Sequence, residues 1–228
     1  MEVCAFMSIF NEEDIVEETI AKLIENGIDV YVLDNGCTDN SISNIQKFVG
    51  KGIIDIQYFV SEENGRKVFN LHDILEQFEF VAKKLPHKWF MISDADEIKY
   101  SPWPHLSLSE GLAQVDRLGF NLVNFKLFNF RPIVSPNNSL VFPVRFINKH
   151  YPIRSAEHGK RKLTLERQPR YSVTEVEKGW HSHYKTLNID EKKDLIWEKD
   201  DLKYFDIKDE RLKLFEEATE ILISGSLQ

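Results

Sequence analysis

Apolar runs and amphipathic segments alternate along the first hundred residues of the chain. The apolar runs, each short enough for one β-strand, are residues 2–9, 29–34, 53–60 and 88–96. The segments with helical spacing of their apolar positions are residues 11–27, 41–49 and 70–85. This β-α-β-α-β-α-β order predicts an α/β fold, in which a mostly parallel central sheet is flanked by helices.

The second half of the chain has a different pattern. Residues 120–130 and 139–147 are rich in Phe with polar residues between, which predicts a smaller mixed β region, and 170–184 is expected to be another strand or a loop. From about residue 190 onward the pattern is charged and helical. We expect a single domain over 1–228. Its three parts are residues 1–100, 101–190 and 191–228.

Composition and charge narrow the class of protein. The 228 residues carry a net charge of −8, which argues against general nucleic-acid binding because that requires a basic surface. Two cysteines, Cys4 and Cys37, are too few for a disulfide framework. The N-terminus has no signal-peptide pattern, and no apolar run approaches the ~20 residues that span a bilayer. We expect a cytoplasmic protein whose membrane contact is at most peripheral, at the inner face.

Carboxylates follow two predicted strands at their carboxyl ends, where open parallel sheets bind ligands. Asp34 ends one strand, and Asp94 and Asp96 follow another in WFMISDADE. Adjacent negative charges beside an apolar core are unfavourable unless a positive charge lies among them. Mn²⁺ or Mg²⁺ would supply that charge, because both prefer carboxylate oxygens and bind together with substrate phosphates. The alternative is a solvated acidic loop.

The loop after the second strand has its own alternatives. Asp34 could accept hydrogen bonds from a base edge or a ribose, or it could form an Asx turn within its loop. Asp39 is suited to cap the helix predicted over 41–49.

Two stretches together resemble family 2-type glycosyltransferases with the GT-A fold. The first, FMSIFNEEDIVEETIAKLIENGIDVYVLDNGCTDNS, has the N-E-x-x motif and the aspartate-rich loop of that family, and WFMISDADE has its D-x-D. The resemblance covers residues 3–98, with Cys37 where Ser is common. INKHYPIRSAEHGKRK and GWHSHY resemble a bacterial subgroup. The resemblance implies the GT-A form of the α/β fold and a nucleotide-sugar donor, with UDP favoured. It also implies a glycan, lipid-linked or other hydroxyl acceptor, as in polysaccharide biosynthesis.

The same resemblance implies roles for individual residues. Those expected beside the donor nucleotide are Asn11, Glu12, Asp34, Arg66, Asn70 and Asp94, with Asp39 as a supporting loop residue. The expected metal ligands are Asp94, Asp96 as the principal ligand, and His181 or His183. The HSH spacing permits either histidine to be a ligand, because it places both imidazoles on one face of an extended segment.

Family 2-type enzymes invert the anomeric centre, which implies a base that deprotonates the acceptor hydroxyl. Glu157 is favoured over Glu97 and Asp116, because it lies within a basic, His-containing stretch that suits a diphosphate. Lys160 and its neighbours would attract the anionic donor. The alternative for this stretch is a solvated basic loop.

Three other functions are alternatives to glycosyl transfer. Phosphatases of the haloacid-dehalogenase type also have a D-x-D after a strand, but theirs follows the first strand and continues into Gly-Thr, whereas here it follows the fourth and continues EIKY. Nucleotidyl transferases have a Gly-rich loop after the first strand, which SIFNEED does not provide. A non-catalytic module with the same fold that binds sugars or nucleotides is the main alternative.

Overall fold

The computed structural model describes residues 3–128, 146–150, 156–181 and 207–224. Its strands are β1 (Val3–Ile9), β2 (Asp29–Asp34), β3 (Ile53–Tyr58), β4 (Ser61–Glu63), β5 (Arg66–Val68), β6 (Trp89–Ile92), β7 (Glu97–Tyr100), β8 (Phe125–Phe128) and β9 (Phe146–His150). Its α-helices are α1 (Val16–Glu25), α2 (Ser41–Ile45), α3 (Leu71–Ala82), α4 (Leu108–Arg117), α5 (Ala156–Lys160), α6 (Val173–Glu177) and α7 (Ile207–Ser224). A 3₁₀ turn, Gln46–Phe48, follows α2, and α5 continues as a π-helix, Arg161–Arg167, and a 3₁₀ turn, Gln168–Arg170.

Four parallel strands form the central sheet in the order β3-β2-β1-β6. These are the four strands that the sequence predicts, so the predicted α/β architecture is confirmed. Strand β1 has a neighbour on each side, and six of its seven residues are buried, as expected for an inner strand of a parallel sheet covered on both faces. The carboxyl ends of β1, β2 and β6 therefore meet at one edge of the sheet, and the loops that follow them are neighbours.

Helices cover both faces of the central sheet. On one face, Met7 of β1 belongs to a buried cluster with Ile20 of α1 and Leu112 of α4. On the other face, Phe6 stacks on Phe78 of α3 with the ring centroids 4.9 Å apart. Side chains of this size each stabilise the fold by roughly 1.5–3 kcal/mol when fully buried. An apolar layer on each face of the sheet thus holds in place its carboxyl edge, the edge at which the carboxyl ends of β1, β2 and β6 lie.

A second sheet lies further along the chain, in the order β7-β9-β8. Strand β9 is antiparallel to β7 and parallel to β8, which confirms the smaller mixed β region. Residues 129–145, which include most of the strand predicted over 139–147, lie outside the described residues. Helix α7 has the predicted helical character, and 191–206 also lies outside the described residues.

Several elements differ from the predictions. The hairpin β4–β5 was not anticipated, although its Asn64-Gly65 turn, with φ of 53° and 73°, is typical of two-residue hairpin loops. Helix α4 was also missed, although it begins with a capping box of Ser107 and Glu110,. The basic stretch from residue 156, for which a solvated loop was the alternative, is helical. Helix α6 lies where a strand or loop was expected, and its short length shows that tertiary contacts determine it. None of the helices in the described ranges is both long and apolar enough to cross a membrane.

Candidate active site

A cleft of about 370 Å³ opens at the carboxyl ends of β1 and β6, the edge at which parallel sheets bind ligands. Its acidic lining residues are Glu12, Asp94, Asp96 and Glu166. Its basic lining residues are Lys162, Arg167 and His181. Apolar side chains of α3 and Phe69 form the opposite wall. The cleft therefore combines predicted acidic residues with the helical segment 161–170.

Asp96 is buried, and both of its carboxylate oxygens face basic groups. Oδ2 accepts a hydrogen bond from Lys162 Nζ at 2.7 Å, and Oδ1 lies 3.4 Å from His150 Nε2. Lys162 Nζ also lies 2.8 Å from Glu12 Oε1. Burial alone would raise the pKa of Asp96, but the hydrogen bond from His150 and the charge of Lys162 outweigh burial and hold that pKa well below its usual range,. Asp96 is therefore a charged carboxylate at neutral pH.

Asp94 has different surroundings, because its side chain is exposed to the cleft. The protein mass around the cleft, together with the negative charges of Glu97 and Asp96, raises the pKa of Asp94,. Glu97 forms an ion pair with the buried Lys99, whose ammonium also donates to Ser93 Oγ at 3.1 Å. Burial is the largest cause of the raised pKa of Asp94, and its two acidic neighbours add to it.

Asp94, Glu97 and His150 could together hold a metal ion. Each offers one ligand atom, and these atoms lie within 4.8 Å of one another. His150 Nδ1 is buried and has no hydrogen-bond partner among the described residues. Carboxylate oxygens suit Mn²⁺ and Mg²⁺, and an imidazole favours the transition ion. The donor set therefore fits a divalent ion next to the first aspartate of the D-x-D.

Asn11 and Glu12 join the loop after β1 to the loop after β2. Asn11 has a left-handed backbone with φ of 53°, and its Oδ1 accepts from the backbone N–H of Thr38 at 2.8 Å. The backbone N–H of Glu12 donates to Ser41 Oγ at 2.8 Å, and Asp39 Oδ1 accepts from the backbone N–H of Ser41 at 2.9 Å. Asp39 thus acts at the start of α2, close to its predicted capping role. These bonds hold one rim of the cleft in place.

Asp34 bonds to its own loop. Its Oδ1 accepts from the backbone N–H groups of Gly36 at 3.0 Å and Cys37 at 2.8 Å. This is the Asx-type turn that the sequence allowed as an alternative. A role for Asp34 in binding the nucleotide base stays a prediction.

Arg170 lies beside this loop and was not singled out from the sequence. Its guanidinium carbon lies 3.5 Å from the centre of the Phe10 ring, a cation–π distance. One of its nitrogens also donates to the backbone oxygen and Oδ1 of Asn35 at 2.7 and 2.8 Å. The planar guanidinium is thus held between the loops that follow β1 and β2.

His181 lies in the cleft wall, as part of an aromatic cluster. Its ring stacks on Tyr171 with the centroids 4.2 Å apart, and its Nε2 lies 2.9 Å from Glu175 Oε2. The partner that the structure gives His181 is therefore Glu175, and its role as a metal ligand stays a prediction. His183 lies outside the described residues.

Other predicted residues are not among the described residues that line the cleft. Arg66 is exposed in β5, and the side chain of Asn70 caps α3 by accepting from the backbone N–H of Asp73 at 3.2 Å. Glu157 and Lys160 are exposed on α5.

Glu166 and Arg167 do line the cleft, although the sequence did not indicate them. Glu166 Oε1 accepts from Asn11 Nδ2 at 3.4 Å and lies 3.7 Å from Arg161 Nε. The stretch RKLTLER shows no motif, and the π-helix that carries these side chains into the cleft leaves no clear sequence signal. Turns of π-helix occur often at functional sites.

Both thiols should be unreactive in the native protein. Burial raises the pKa of Cys4 and of Cys37 to about 12, so the thiolate that reacts is scarce at pH 8. We expect alkylation by iodoacetamide at pH 8 to be about 1000-fold slower than for an ordinary cysteine of pKa about 8.5, and to accelerate as the pH rises. Mass spectrometry of native and denatured samples measures this, and prompt labelling of native Cys37 would contradict it.

Residues 4–102 match the family model described as glycosyl transferase family 2. No curated protein matches the chain. Three solved structures are similar to it at low identity. S. aureus TarS has 15% identity and a TM-score of 0.42 over 59% of this chain and 23% of that chain. S. aureus TarS 1-349 has 14% identity and a TM-score of 0.43 over 78% and 49%.

The third is the mannosyltransferase PcManGT from Pyrobaculum calidifontis in complex with GDP-Man and Mn²⁺. It has 18% identity and a TM-score of 0.32 over 45% of this chain and 28% of that chain. The chain thus spans less than half the length of each of these three structures.

Proposed function

We propose that the chain transfers a sugar from a nucleotide-sugar donor to a hydroxyl group of an acceptor, with inversion at the anomeric carbon, because residues 4–102 match the glycosyl transferase family 2 model. The observation that carries this proposal is the cleft at the carboxyl ends of β1 and β6, where Asp94 and Asp96 face Lys162 and Arg167. A dianionic diphosphate needs positive charge, and a sugar needs carboxylates to accept its hydroxyl hydrogen bonds. Both are present in this cleft.

The donor would bind along the carboxyl edge of the sheet. The loops after β1 and β2 would hold the nucleoside, with Asp34 toward the base and the stacked pair of Phe10 and Arg170 as a flat wall. UDP is the favoured nucleotide. The diphosphate would lie toward Asp94 and Arg167, and the acceptor, a glycan or a lipid-linked hydroxyl, would approach from the side of His181.

Asp94, Glu97 and His150 would hold Mn²⁺ or Mg²⁺. When bound, the ion offsets the negative charge that develops on the diphosphate leaving group. Asp96 would support this group from behind, since its oxygens face Lys162 and His150.

The catalytic base can be identified by comparing the activities of variants that each lack one candidate carboxylate. Glu157 and Glu97 are the predictions from sequence, but Glu97 pairs with Lys99, and the described cleft adds Glu166. We expect Glu166→Gln to lower kcat by about 100-fold or more, the range for loss of a general base, with little change in the KM of the donor. Steady-state kinetics with a saturating acceptor measures this.

Glu157→Gln is the matched control, because it removes one carboxylate charge from an exposed position of the same helical segment. A large loss of kcat in Glu157→Gln, with Glu166→Gln unaffected, would return the base to the residue that the sequence favoured.

The function itself is tested with a panel of nucleotide sugars and Mn²⁺. Thermal-shift measurements identify the donor, and chromatography of the products then separates the reaction classes. A nucleoside diphosphate as product supports glycosyl transfer, and inorganic phosphate indicates a phosphatase. Donor binding without turnover over a broad acceptor panel would favour a non-catalytic binding module.

A further inference from the structure

The D-x-D of this chain already has a cation at its second aspartate. The ammonium of Lys162 lies 2.7 Å from Asp96 Oδ2 and 2.8 Å from Glu12 Oε1. The Lys162 and Asp96 side chains are 4% and 2% exposed, so solvent screens their attraction weakly. His150 faces the remaining oxygen of Asp96 at 3.4 Å. Lys162 and His150 thus face the two oxygens of the Asp96 carboxylate.

A divalent ion at Asp96 would have to displace Lys162. The ammonium would then move away from two buried carboxylates. A buried ammonium that loses its partners is strongly unfavourable. Asp94 has no such obstacle, because its side chain is exposed to the cleft.

We propose that Lys162 is a resident cation of the donor site: its ammonium occupies the place between Glu12 and Asp96 that a divalent ion would otherwise take, and so confines the metal to Asp94, Glu97 and His150. This rests on the proposed function for its biological meaning, but the occupancy of Asp96 stands on geometry alone. Lys162 also ties the helical segment 161–170 to the carboxyl edge of the sheet, because its two partners belong to the loops after β1 and β6.

The test is to remove the resident charge and count metal ions. In Lys162→Met, Glu12 and Asp96 face one another across the space left by an ammonium. Hard divalent ions bind oxygen at about 2.0–2.6 Å, so a small inward movement of the two carboxylates would create a new site. We expect Lys162→Met to gain about one Mn²⁺ per chain relative to wild type. Electron paramagnetic resonance and calorimetry with Mn²⁺ alone, without donor, measure this gain, and Mn²⁺ should also raise the melting temperature more in the variant.

Lys160→Met is the matched control, since Lys160 lies two residues away on the same segment and is exposed. Its Mn²⁺ stoichiometry should equal that of wild type. An unchanged stoichiometry in folded Lys162→Met would overturn the proposal.

A second measurement applies if Lys162→Met does not fold. We expect Asp96→Asn in the otherwise native chain to keep the wild-type Mn²⁺ stoichiometry, with an affinity lowered by no more than about 10–100-fold, the cost of losing an outer-shell partner, because Asp96 contacts the ligand His150 without being a ligand itself. A loss of Mn²⁺ affinity well beyond about 100-fold in Asp96→Asn, with circular dichroism showing a native fold, would place the ion on Asp96 and refute the resident cation. Because none of these measurements uses donor or turnover, failure of the transferase proposal would leave their outcome unaffected.

Discussion

Asp94→Asn is expected to lower the Mn²⁺-dependent affinity for the nucleotide sugar by about 100-fold while the protein stays folded. Loss of an outer-shell partner of a metal site typically costs about 10–100-fold, and loss of the direct ligand Asp94 should cost at least the upper end of that range. The carboxylate is exposed to the cleft, and its ligand oxygen lies within 4.8 Å of the ligand atoms that Glu97 and His150 offer to a metal ion. Asn keeps the size of the side chain and removes its charge. Calorimetry with and without Mn²⁺ measures the change.

Asp55→Asn is the control for this prediction, because Asp55 is an exposed carboxylate on β3. Its donor affinity should match that of wild type. If Asp94→Asn binds donor and Mn²⁺ as tightly as wild type does, the metal group of Asp94, Glu97 and His150 is wrongly assigned, and Glu12, Asp14 and His158, which have comparable spacing, become the group to test.

The carboxyl edge of the sheet could be predicted because its signals are local. Each strand is a short apolar run, and a parallel sheet brings the following residues together whatever the loops contain. Asp34 and Asp94 were therefore found from the sequence. The roles of their individual oxygens could not be found in this way, since the Asx turn of Asp34 depends on the conformation of a single loop.

The contacts of Lys162 could not be predicted, because they join parts of the chain that are far apart in sequence. Asp96 lies 66 positions from Lys162, and nothing near either residue specifies the other. The basic stretch was recognised, but its helical conformation was not predicted, since the sequence pattern does not distinguish a short π-helix from a solvated segment. Glu166 was missed for the same reason: its place in the cleft depends on the register of that π-helix.

Lys162→Ala is expected to have the largest effect on stability among charged-residue variants near the cleft. The intact network need not stabilise the fold much, because burying an ammonium and two carboxylates carries a desolvation penalty that offsets their attraction. Removing the ammonium leaves two buried carboxylates whose desolvation is no longer offset by its attraction, and this typically costs about 3–5 kcal/mol. We expect a decrease of that size in the free energy of unfolding, measured by urea denaturation at pH 7 in the presence of a metal chelator.

The choice of pH follows from Asp96. Its folded pKa is held below the unfolded value of about 3.9,, so its stabilising contribution is present above pH 3.9 and is lost only as the pH falls through the lower folded value. At pH 7 the full effect of Lys162 is therefore measured. Lys160→Ala, an exposed position, should change stability by no more than about 0.5 kcal/mol.

A second substitution separates charge from packing. Adding Glu12→Gln to Lys162→Ala removes one of the two carboxylates that the first substitution leaves unpaired, so part of the lost stability should return, and the two effects should not be additive. If Lys162→Ala is as stable as Lys160→Ala, the ammonium is not buried between these carboxylates in solution. If instead the double variant is less stable than Lys162→Ala by the full effect of Glu12→Gln alone, Lys162 stabilises the fold through the packing of its stem rather than through its charge.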